Sequence, residues 1–361
     1  MSLEIVLAGS MIVSLTFYAL LGGADYGGGV WDLFVRGPRA NDQRALIAHA
    51  IGPIWEANHV WLILVVVILF TAFPPAFATI TTALHIPLTL LLIGIVLRGS
   101  AFTFRTYDSQ SDDVQKRWSR VFSIASILTP VLLGVIVGAL ASGGIHLESG
   151  TFNSRFIQPW LAPFPLAVGL FALSLFAFLA AVYLTLETTD RRLQADFRLR
   201  ALVSGMAVGG LALIVFLLAG IYAPKIRAGI SASPWAIPLQ LATAVCALGA
   251  FGGLWRRKYR LARLCAAGQV TLILWGWALA QFPYIVRPDL TIQSAAAPLI
   301  TLRLLLVALC VGALVLFPSF YYLFRVFKGQ TAFAEPGAGT SSTTIEINRG
   351  KYPRKPDQDV R

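Results

Sequence analysis

Charged residues are scarce in this sequence: they make up 13% of its 361 residues, whereas hydrophobic residues make up 57%. Soluble globular proteins carry about twice that share of charge. The mean hydropathy is also positive. Together these values exclude an ordinary soluble globule and indicate a protein that crosses a membrane several times.

The sequence also has few cysteines and no cationic leader. Its three cysteines, Cys246, Cys265 and Cys310, show no CxxC spacing, so we interpret them as small packing residues and not as disulfides or metal ligands. The N-terminus, MSLEIVLAGS, contains one acidic residue and no basic one. This pattern argues against a cleaved signal peptide, so the first apolar run is expected to stay in the protein.

Long apolar runs are abundant. A helix of about 20 residues crosses the ~30 Å hydrocarbon core of a bilayer, and nine runs approach or exceed that length: 5–33, 46–72, 76–98, 119–141, 163–187, 201–222, 236–255, 262–283 and 299–325. The fold class is therefore predicted to be an all-α polytopic membrane protein with nine transmembrane helices. We expect two four-helix bundles, in residues 1–141 and 142–283, and then an outer loop with a peripheral ninth helix in residues 284–328.

The net charge of +12 is distributed unevenly along the chain. Of the 29 Lys and Arg residues, 24 lie in the tail or in loops after odd-numbered runs, and 4 lie in loops after even-numbered runs. The positive-inside rule then places the N-terminus outside and the C-terminus in the cytoplasm. Basicity thus reports topology, and no binding of nucleic acid is expected. The polar residues 329–361 are predicted to form a disordered cytoplasmic tail.

The first apolar run contains two carboxylates in the segment GGADYGGGVWDL, Asp25 and Asp32. An ionisable side chain at membrane depth costs about 3 kcal/mol or more unless it is paired or faces a wet cavity. Seven residues separate the two, so they share one helix face. Both are therefore candidates for a functional site, whereas Gly23 and Gly27 indicate close helix packing.

The second run, through HAIGPIWEANHVWLI, contributes Glu56 and His59. Counting from the cytoplasmic end places Glu56 at a depth close to that of Asp25, so these two acids are expected to be neighbours. Carboxylate and imidazole groups in a column favour a proton relay, because both are able to titrate near neutral pH. The alternative interpretation is a set of hydrogen bonds that only hold the helices together.

The third run ends in LRGSAFTFR, where Arg98 is placed to pair with Asp25 or Asp32 at the mouth of a cytoplasmic half-channel. The alternative is that Arg98 extends to the lipid phosphates. His85, in the same run, has no matched partner, so we interpret it as a structural residue and not as a haem ligand.

A further polar group follows the eighth run, in WGWALAQFPYIVRPDLTI, residues 275–292. Its aromatic residues are typical of the belt at a membrane surface. Four residues are candidate contacts for a quinone, a lipid head group or a partner subunit: Trp277, Gln281, Arg287 and Asp289.

Four segments in this order, GGADYGGG, GPIWEANHVWLI, LRGSAFTFR and WALAQFPYIVRPDLTI, resemble subunit II of the cytochrome bd family of quinol oxidases, including its cyanide-insensitive branch. The resemblance extends to about Phe327. It implies two four-helix bundles plus one helix, and a partner, subunit I, that carries the three haems, of types b and d, and oxidises quinol near the outer face. Subunit II of this family binds no haem, so a quinone is the one cofactor considered for this chain.

The resemblance also implies roles for individual residues. The acid of the second helix corresponds to Glu56, that of the first to Asp25, and the arginine of the third to Arg98. In relatives these groups are associated with a cytoplasmic proton route towards the oxygen-reducing haems, or with its structural support. Asp32 is interpreted as a mouth or packing residue. The chain is thus expected to be a respiratory oxidase subunit of the bacterial inner membrane, with subunit I, lipid and quinol as partners and small single-span subunits as further candidates.

Two other functions remain open. A stand-alone proton-coupled transporter also carries intramembrane acids, but it would normally show inverted repeats and broken helices at a central site. A purely structural membrane subunit would use the acids only to bind Arg98 and neighbouring helices. The polar cluster lies in the first third of the chain, which favours an accessory subunit over a transporter.

Overall fold

The computed structural model describes residues 2–52, 55–107, 112–148, 151–152 and 156–328. The predicted tail, 329–361, lies outside these residues. The described part forms thirteen α-helices and two short antiparallel β-hairpins.

The first half of the chain contains seven helices and the first hairpin. They are α1 (Leu3–Leu33), α2 (Ala40–Ile51), α3 (Trp55–Asn58), α4 (Val60–Ala72), α5 (Pro74–Ala83), α6 (His85–Tyr107), α7 (Asp112–Ser142), β1 (Leu147–Glu148) and β2 (Thr151–Phe152). The second half contains α8 (Pro163–Leu184), α9 (Arg191–Tyr222), α10 (Pro224–Ala232), α11 (Ala236–Trp255), α12 (Tyr259–Gln281), β3 (Tyr284–Val286), β4 (Leu290–Thr291) and α13 (Leu299–Lys328).

Nine segments of the described residues are helical, long and apolar enough to cross a membrane. They are Leu3–Leu33, Trp55–Ala72, His85–Phe104, Arg117–Ser142, Pro163–Leu184, Arg191–Tyr222, Ala236–Trp255, Tyr259–Gln281 and Leu299–Leu323. The prediction of nine membrane helices is confirmed.

The structure corrects the second and third predicted runs, because neither is a single helix. Residues 46–72 are divided among α2, α3 and α4, and residues 76–98 between α5 and α6. At the junction of α4 and α5, Phe73 has φ −134° and ψ 57° and precedes Pro74. A residue before proline avoids the helical region, so the helix ends there and a new one begins at the proline.

The same succession of elements occurs again later in the chain. Ala223, with φ −141° and ψ 55°, ends α9, and Pro224 begins the short helix α10. Two long helices follow in each case, α6 and α7 after α5, and α11 and α12 after α10. This repetition fits the predicted pair of four-helix bundles. The division stays a prediction, since α1 contacts α4 and α7 as well as α8 and α12.

Helix α1 approaches α8 closely at a glycine. A Cβ atom added to Gly27 would overlap the carbonyl oxygen of Phe176 and lie 2.7 Å from the Cβ of Ala180. Only glycine allows the two backbones to come so near. Around this contact α1 is buried on all sides, and Asp25 is among its buried residues.

A polar cluster at the predicted cytoplasmic end joins α2 to α9. Arg39 donates from Nε and Nη2 to the carboxylate of Asp196 at 2.9 and 2.7 Å, and the Nε2 of Gln43 donates to the same carboxylate at 2.7 Å. Arg200 donates to the Oε1 of Gln43 at 2.6 Å. Hydrogen bonding to Asp196 raises the pKa of Arg39 above its ordinary value. The cluster holds the helix that leads into α3.

Candidate functional site

Asp25 lies inside the protein and has a polar partner from a second helix. Its side chain is 6% exposed and that of Asn58 is 1% exposed. The Nδ2 of Asn58 donates a hydrogen bond to the Oδ2 of Asp25, with a distance of 2.6 Å between the two atoms. Hydrogen bonds to a carboxylate are shorter and stronger than neutral ones, so Asn58 lowers the cost of an acid at this depth.

The predicted neighbour of Asp25, Glu56, lies elsewhere. Its side chain is exposed on the surface of the chain. Two residues along a helix correspond to a rotation of about 200°, which leaves the side chains on nearly opposite sides. The turn that directs Asn58 towards α1 therefore directs Glu56 outwards. The predicted Asp25–Glu56 neighbourhood is therefore replaced by an Asp25–Asn58 hydrogen bond.

Two tyrosines of α1 extend the site, and His59 lies against them. The hydroxyls of Tyr18 and Tyr26 are 3.0 Å apart, and both side chains are at most 1% exposed. The ring centroid of His59 lies 5.9 Å from that of Tyr18 and 6.1 Å from that of Tyr26. Among the described residues, the buried Nδ1 of His59 has no hydrogen-bond partner.

Arg98 is enclosed by aromatic rings. It is 2% exposed, and its guanidinium carbon lies 4.6 Å from the ring centroid of Tyr26, 5.3 Å from that of Phe122 and 5.9 Å from that of Trp55. Among the described residues, nothing accepts a hydrogen bond from its buried Nε and Nη2. Cation–π contacts with desolvated rings stabilise such a cation by about 2 kcal/mol. The carboxylate partner that the sequence predicted for Arg98 stays a prediction, and the rings are the contacts that surround its guanidinium.

Asp32, the second acid of α1, contacts α7. It is 3% exposed, and the Oγ of Ser123 donates to its Oδ2 at 3.3 Å. This bond joins two packed helices, which agrees with the packing role considered for Asp32.

The polar group at the other end of the protein forms a closed hydrogen-bond network. Arg287 donates from Nη2 to the carbonyl oxygens of Ala280 and Gln281 and from Nε to the Oε1 of Gln281. Gln281 in turn donates to the carbonyl oxygens of Leu140 and Ile285 at 3.4 Å each. Burial lowers the pKa of Arg287 from its ordinary value, and Tyr284 opposes the shift. Gln281 and Arg287 thus anchor the β3–β4 hairpin, while Asp289 is exposed.

An apolar cavity of about 510 Å³ lies among the helices of the second half and α1 and α7. Of the four outer residues named as candidate ligand contacts, Trp277 is the one that lines it. No described group accepts a hydrogen bond from the buried Nε1 of Trp277. A hydrocarbon chain with an acceptor near that nitrogen fits the lining.

Histidine and cysteine form no cluster in the ranges that the structure describes: no three His, Cys, Asp or Glu residues lie together there as a metal site would need. His85 is exposed, and its Nδ1 lies 3.0 Å from the carbonyl oxygen of Thr82. This contact agrees with a structural role for His85.

Three residues of the site were missed from the sequence: Tyr18, Tyr26 and Asn58. Tyr18 and Tyr26 stand in the apolar helix α1 and Asn58 in the apolar segment Trp55–Ala72, where a buried polar atom needs a partner. The sequence signal for Asn58 was its place between Glu56 and His59, as a third polar residue in an apolar run. Their contacts depend on how α1 and α3 face each other, which sequence spacing does not fix.

The chain matches the family described as cytochrome bd terminal oxidase subunit II over residues 3–327. It is 23% identical over 336 residues to a Bacillus subtilis protein provisionally described as cytochrome bd menaquinol oxidase subunit II, covering 90% of this chain and 96% of that protein. It is 26% identical over 216 residues to the Escherichia coli cytochrome bd-I ubiquinol oxidase subunit 2, covering 58% of this chain and 54% of that protein.

A solved structure shares the fold. The bd oxidase from Geobacillus thermodenitrificans contains a chain that superposes with a TM-score of 0.76 at 20% identity, covering 91% of this chain and 99% of that one. The match over residues 3–327 includes all nine apolar helices. This protein therefore belongs to the cytochrome bd terminal oxidase subunit II family, and it is a multi-pass respiratory protein of the inner membrane.

Proposed function

We propose that this chain is the haem-free subunit of a cytochrome bd-type quinol:oxygen oxidoreductase, and that it delivers protons from the cytoplasm to the haem-bearing subunit I. The observation that carries the proposal is the buried carboxylate of Asp25, held by Asn58 at 2.6 Å within the membrane-spanning part. Burying an ionisable group at that depth costs free energy, so its presence there indicates a functional role. In the proposed complex, the partner of this chain, subunit I, would hold haems b and d, which supply the chemistry of oxygen reduction.

Proton transfer is what this set of side chains is able to do. Asp25 accepts and releases a proton, and the Tyr18–Tyr26 hydroxyl pair and His59 continue the polar surface beside it. Arg98 provides a fixed positive charge next to Tyr26. A fixed cation near a carboxylate lowers the free-energy cost of the ionised form inside the membrane, and the ionised form is the one that accepts the next proton.

Glu56 lies on a surface of this chain that a partner subunit would cover. It is exposed, and the exposed residues that follow it on α4 are apolar, among them Ile63, Val66 and Phe70. An acid on an apolar membrane surface is stable when a protein partner covers it. We therefore propose that this surface meets subunit I and that Glu56 passes protons across the interface.

The cavity beside Trp277 is proposed to hold the apolar tail of a quinone or a lipid. Its volume of about 510 Å³ is within the range of small-molecule sites. Trp277 would donate a hydrogen bond to the head group, whereas Gln281, Arg287 and Asp289 do not line this cavity. The N-terminus outside, the C-terminus in the cytoplasm and the two four-helix bundles remain part of the same proposal, supported by the distribution of basic residues.

The test uses the tagged chain extracted from its native membrane in mild detergent. We expect a second large subunit, haem b and d bands in the reduced-minus-oxidised spectrum, and quinol-driven oxygen uptake. In the assembled complex, Asp25→Asn and Glu56→Gln should each lower oxygen uptake about tenfold or more at unchanged haem content, because an amide carries no titrating proton. Asp42→Asn, an exposed acid on α2, is the matched control.

Three outcomes would contradict the proposal. Normal turnover in both Asp25→Asn and Glu56→Gln would remove the proton route. Loss of haem from the Asp25→Asn complex would favour the purely structural subunit. A colourless chain that elutes alone would favour a transporter, a function with which the interrupted helix beside Asp25 agrees.

A further inference from the structure

A second, small cavity adjoins the site. Its volume is about 50 Å³, and its lining includes both Asp25 and Asn58. The same lining contains Glu187 and Arg263, which come from other parts of the chain. One space therefore borders the buried carboxylate and two further charged side chains.

The positions of Glu187 and Arg263 give the cavity a direction. Glu187 follows the last residue of α8, Leu184, by three residues, and Arg263 lies in the second turn of α12. Both helix ends face the side that the basic residues mark as cytoplasmic. Asp25 lies eight residues before the end of α1, or about 12 Å along the axis. The cavity thus lies between the cytoplasmic edge of the membrane and Asp25.

Asn58 indicates what fills the cavity. Its Nδ2 donates to Asp25, which leaves its Oδ1 as an acceptor in a side chain that is 1% exposed. None of the described groups donates to that oxygen. A buried acceptor of this kind is normally satisfied, and the adjoining space has room for about one to three water molecules.

The lining also offers water the partners that it requires. An ordered buried water makes about two to four hydrogen bonds, and the charged or amide side chains of the wall number four: Asp25, Asn58, Glu187 and Arg263. The guanidinium of Arg263 lies 4.8 Å above the ring of Tyr183, which is also part of the wall. This stacking holds the cation beside the cavity.

We propose that this cavity is a water-filled entrance through which protons pass from the cytoplasm to Asp25, and that Glu187 is its entry carboxylate. The inference rests on the proposed function. The Glu187 carboxylic acid gives its proton to a water, and that water passes a different proton to the Asp25 carboxylate. Glu187, now ionised, takes a new proton from the cytoplasm, so each transfer conserves charge and atoms.

Two variants of the assembled oxidase test the entrance in different ways. Glu187→Gln removes the titrating group, and Ala24→Val adds two methyl groups to the cavity wall without changing charge. Proton uptake is measured with a pH-indicator dye during the reaction of the fully reduced enzyme with oxygen. We expect both variants to slow proton uptake about tenfold or more at unchanged haem content. Glu187→Asp should restore most of the rate, and Asp42→Asn should match the unsubstituted protein.

The outcomes separate this inference from the proposed function. Uptake at the original rate in both Glu187→Gln and Ala24→Val, together with slow uptake in Asp25→Asn, would overturn the entrance and leave the proton route intact. Uptake at the original rate in Asp25→Asn as well would overturn both. Loss of haem in Glu187→Gln that Glu187→Asp does not reverse would make Glu187 a structural residue.

Discussion

Single side chains decide whether the interior of this membrane protein tolerates polar atoms. Asp25 is acceptable because Asn58 donates to it at 2.6 Å, and the Tyr18 and Tyr26 hydroxyls satisfy each other at 3.0 Å. Arg98 is the contrasting case, since aromatic rings surround it and its Nε and Nη2 have no acceptor among the described residues. Polar groups here are stabilised in pairs. When one partner is lost, the other is left buried without a hydrogen bond, and the free energy of unfolding falls.

The tyrosine pair gives a prediction at this scale. Tyr26→Phe should lower the free energy of unfolding by about 1 kcal/mol, because the Tyr18 hydroxyl is left buried without its partner. The double variant, with Tyr18→Phe added, should lose less than the sum of the two single changes. Thermal unfolding in detergent, followed by circular dichroism, measures both effects. Tyr321→Phe, at a side chain that is 69% exposed, is the control, and strictly additive losses would refute the coupling.

At the scale of elements, prolines and glycines set how the helices meet. Pro74 and Pro224 each end one helix and begin another, so a short helix follows the second membrane helix of each predicted bundle. Gly27, in contrast, lies inside the continuous helix α1 and lets its backbone contact that of α8. Helix α1, which carries Asp25, is therefore packed directly against α8.

Substitution of Gly27 tests the importance of the contact. Gly27→Ala should destabilise the protein by about 1–3 kcal/mol, because its Cβ would overlap the Phe176 carbonyl and force the helices apart. Gly9→Ala is a matched control on the same helix, since no heavy atom lies within 4 Å of its added Cβ. That change should be neutral or stabilise the helix by up to about 1 kcal/mol. Equal melting temperatures for the two variants would contradict the prediction.

At the scale of the whole molecule, charge sets orientation and hydrophobic surface marks contact with lipid or partners. The large exposed side chains of α4, α6, α9, α11 and α13 are mostly apolar, as expected where a helix faces hydrocarbon or another subunit. Most basic residues are predicted to lie on one side of the membrane. Arg39, Asp196 and Gln43 join α2 to α9 at that predicted side. The cytoplasmic proton route requires that this side faces inwards.

Labelling of single cysteines checks the orientation. In a variant with Cys246, Cys265 and Cys310 replaced by alanine, Asp289→Cys should react with a membrane-impermeant maleimide on intact spheroplasts. Lys258→Cys should react only after the membrane is permeabilised. Both positions are exposed in loops at opposite ends of α12. The reverse pattern would invert the topology and place the Glu187 entrance on the outer side.

The sequence by itself determined that this is a membrane protein, how many membrane helices it has and which acids lie inside apolar runs. These properties are local, because hydrocarbon thickness fixes the length of each apolar run and a charge within a run is costly wherever its neighbours lie. The confirmed family also followed from the order of four short segments. The expected positions of Asp25 and Asp32 on one buried face of α1 agree with the structure.

Only the tertiary structure decided which groups meet. A rotation by one residue turns a helical side chain by about 100°, so the way α3 packs against α1 determines that Asn58 faces Asp25 while Glu56 faces outwards. The rings around Arg98 come from α1, α3 and α7. The cavity that Asp25 and Glu187 both line is formed by five helices, α1, α2, α3, α8 and α12, and by Glu187, which follows α8. Such arrangements depend on packing between distant segments, which no local pattern in the sequence encodes.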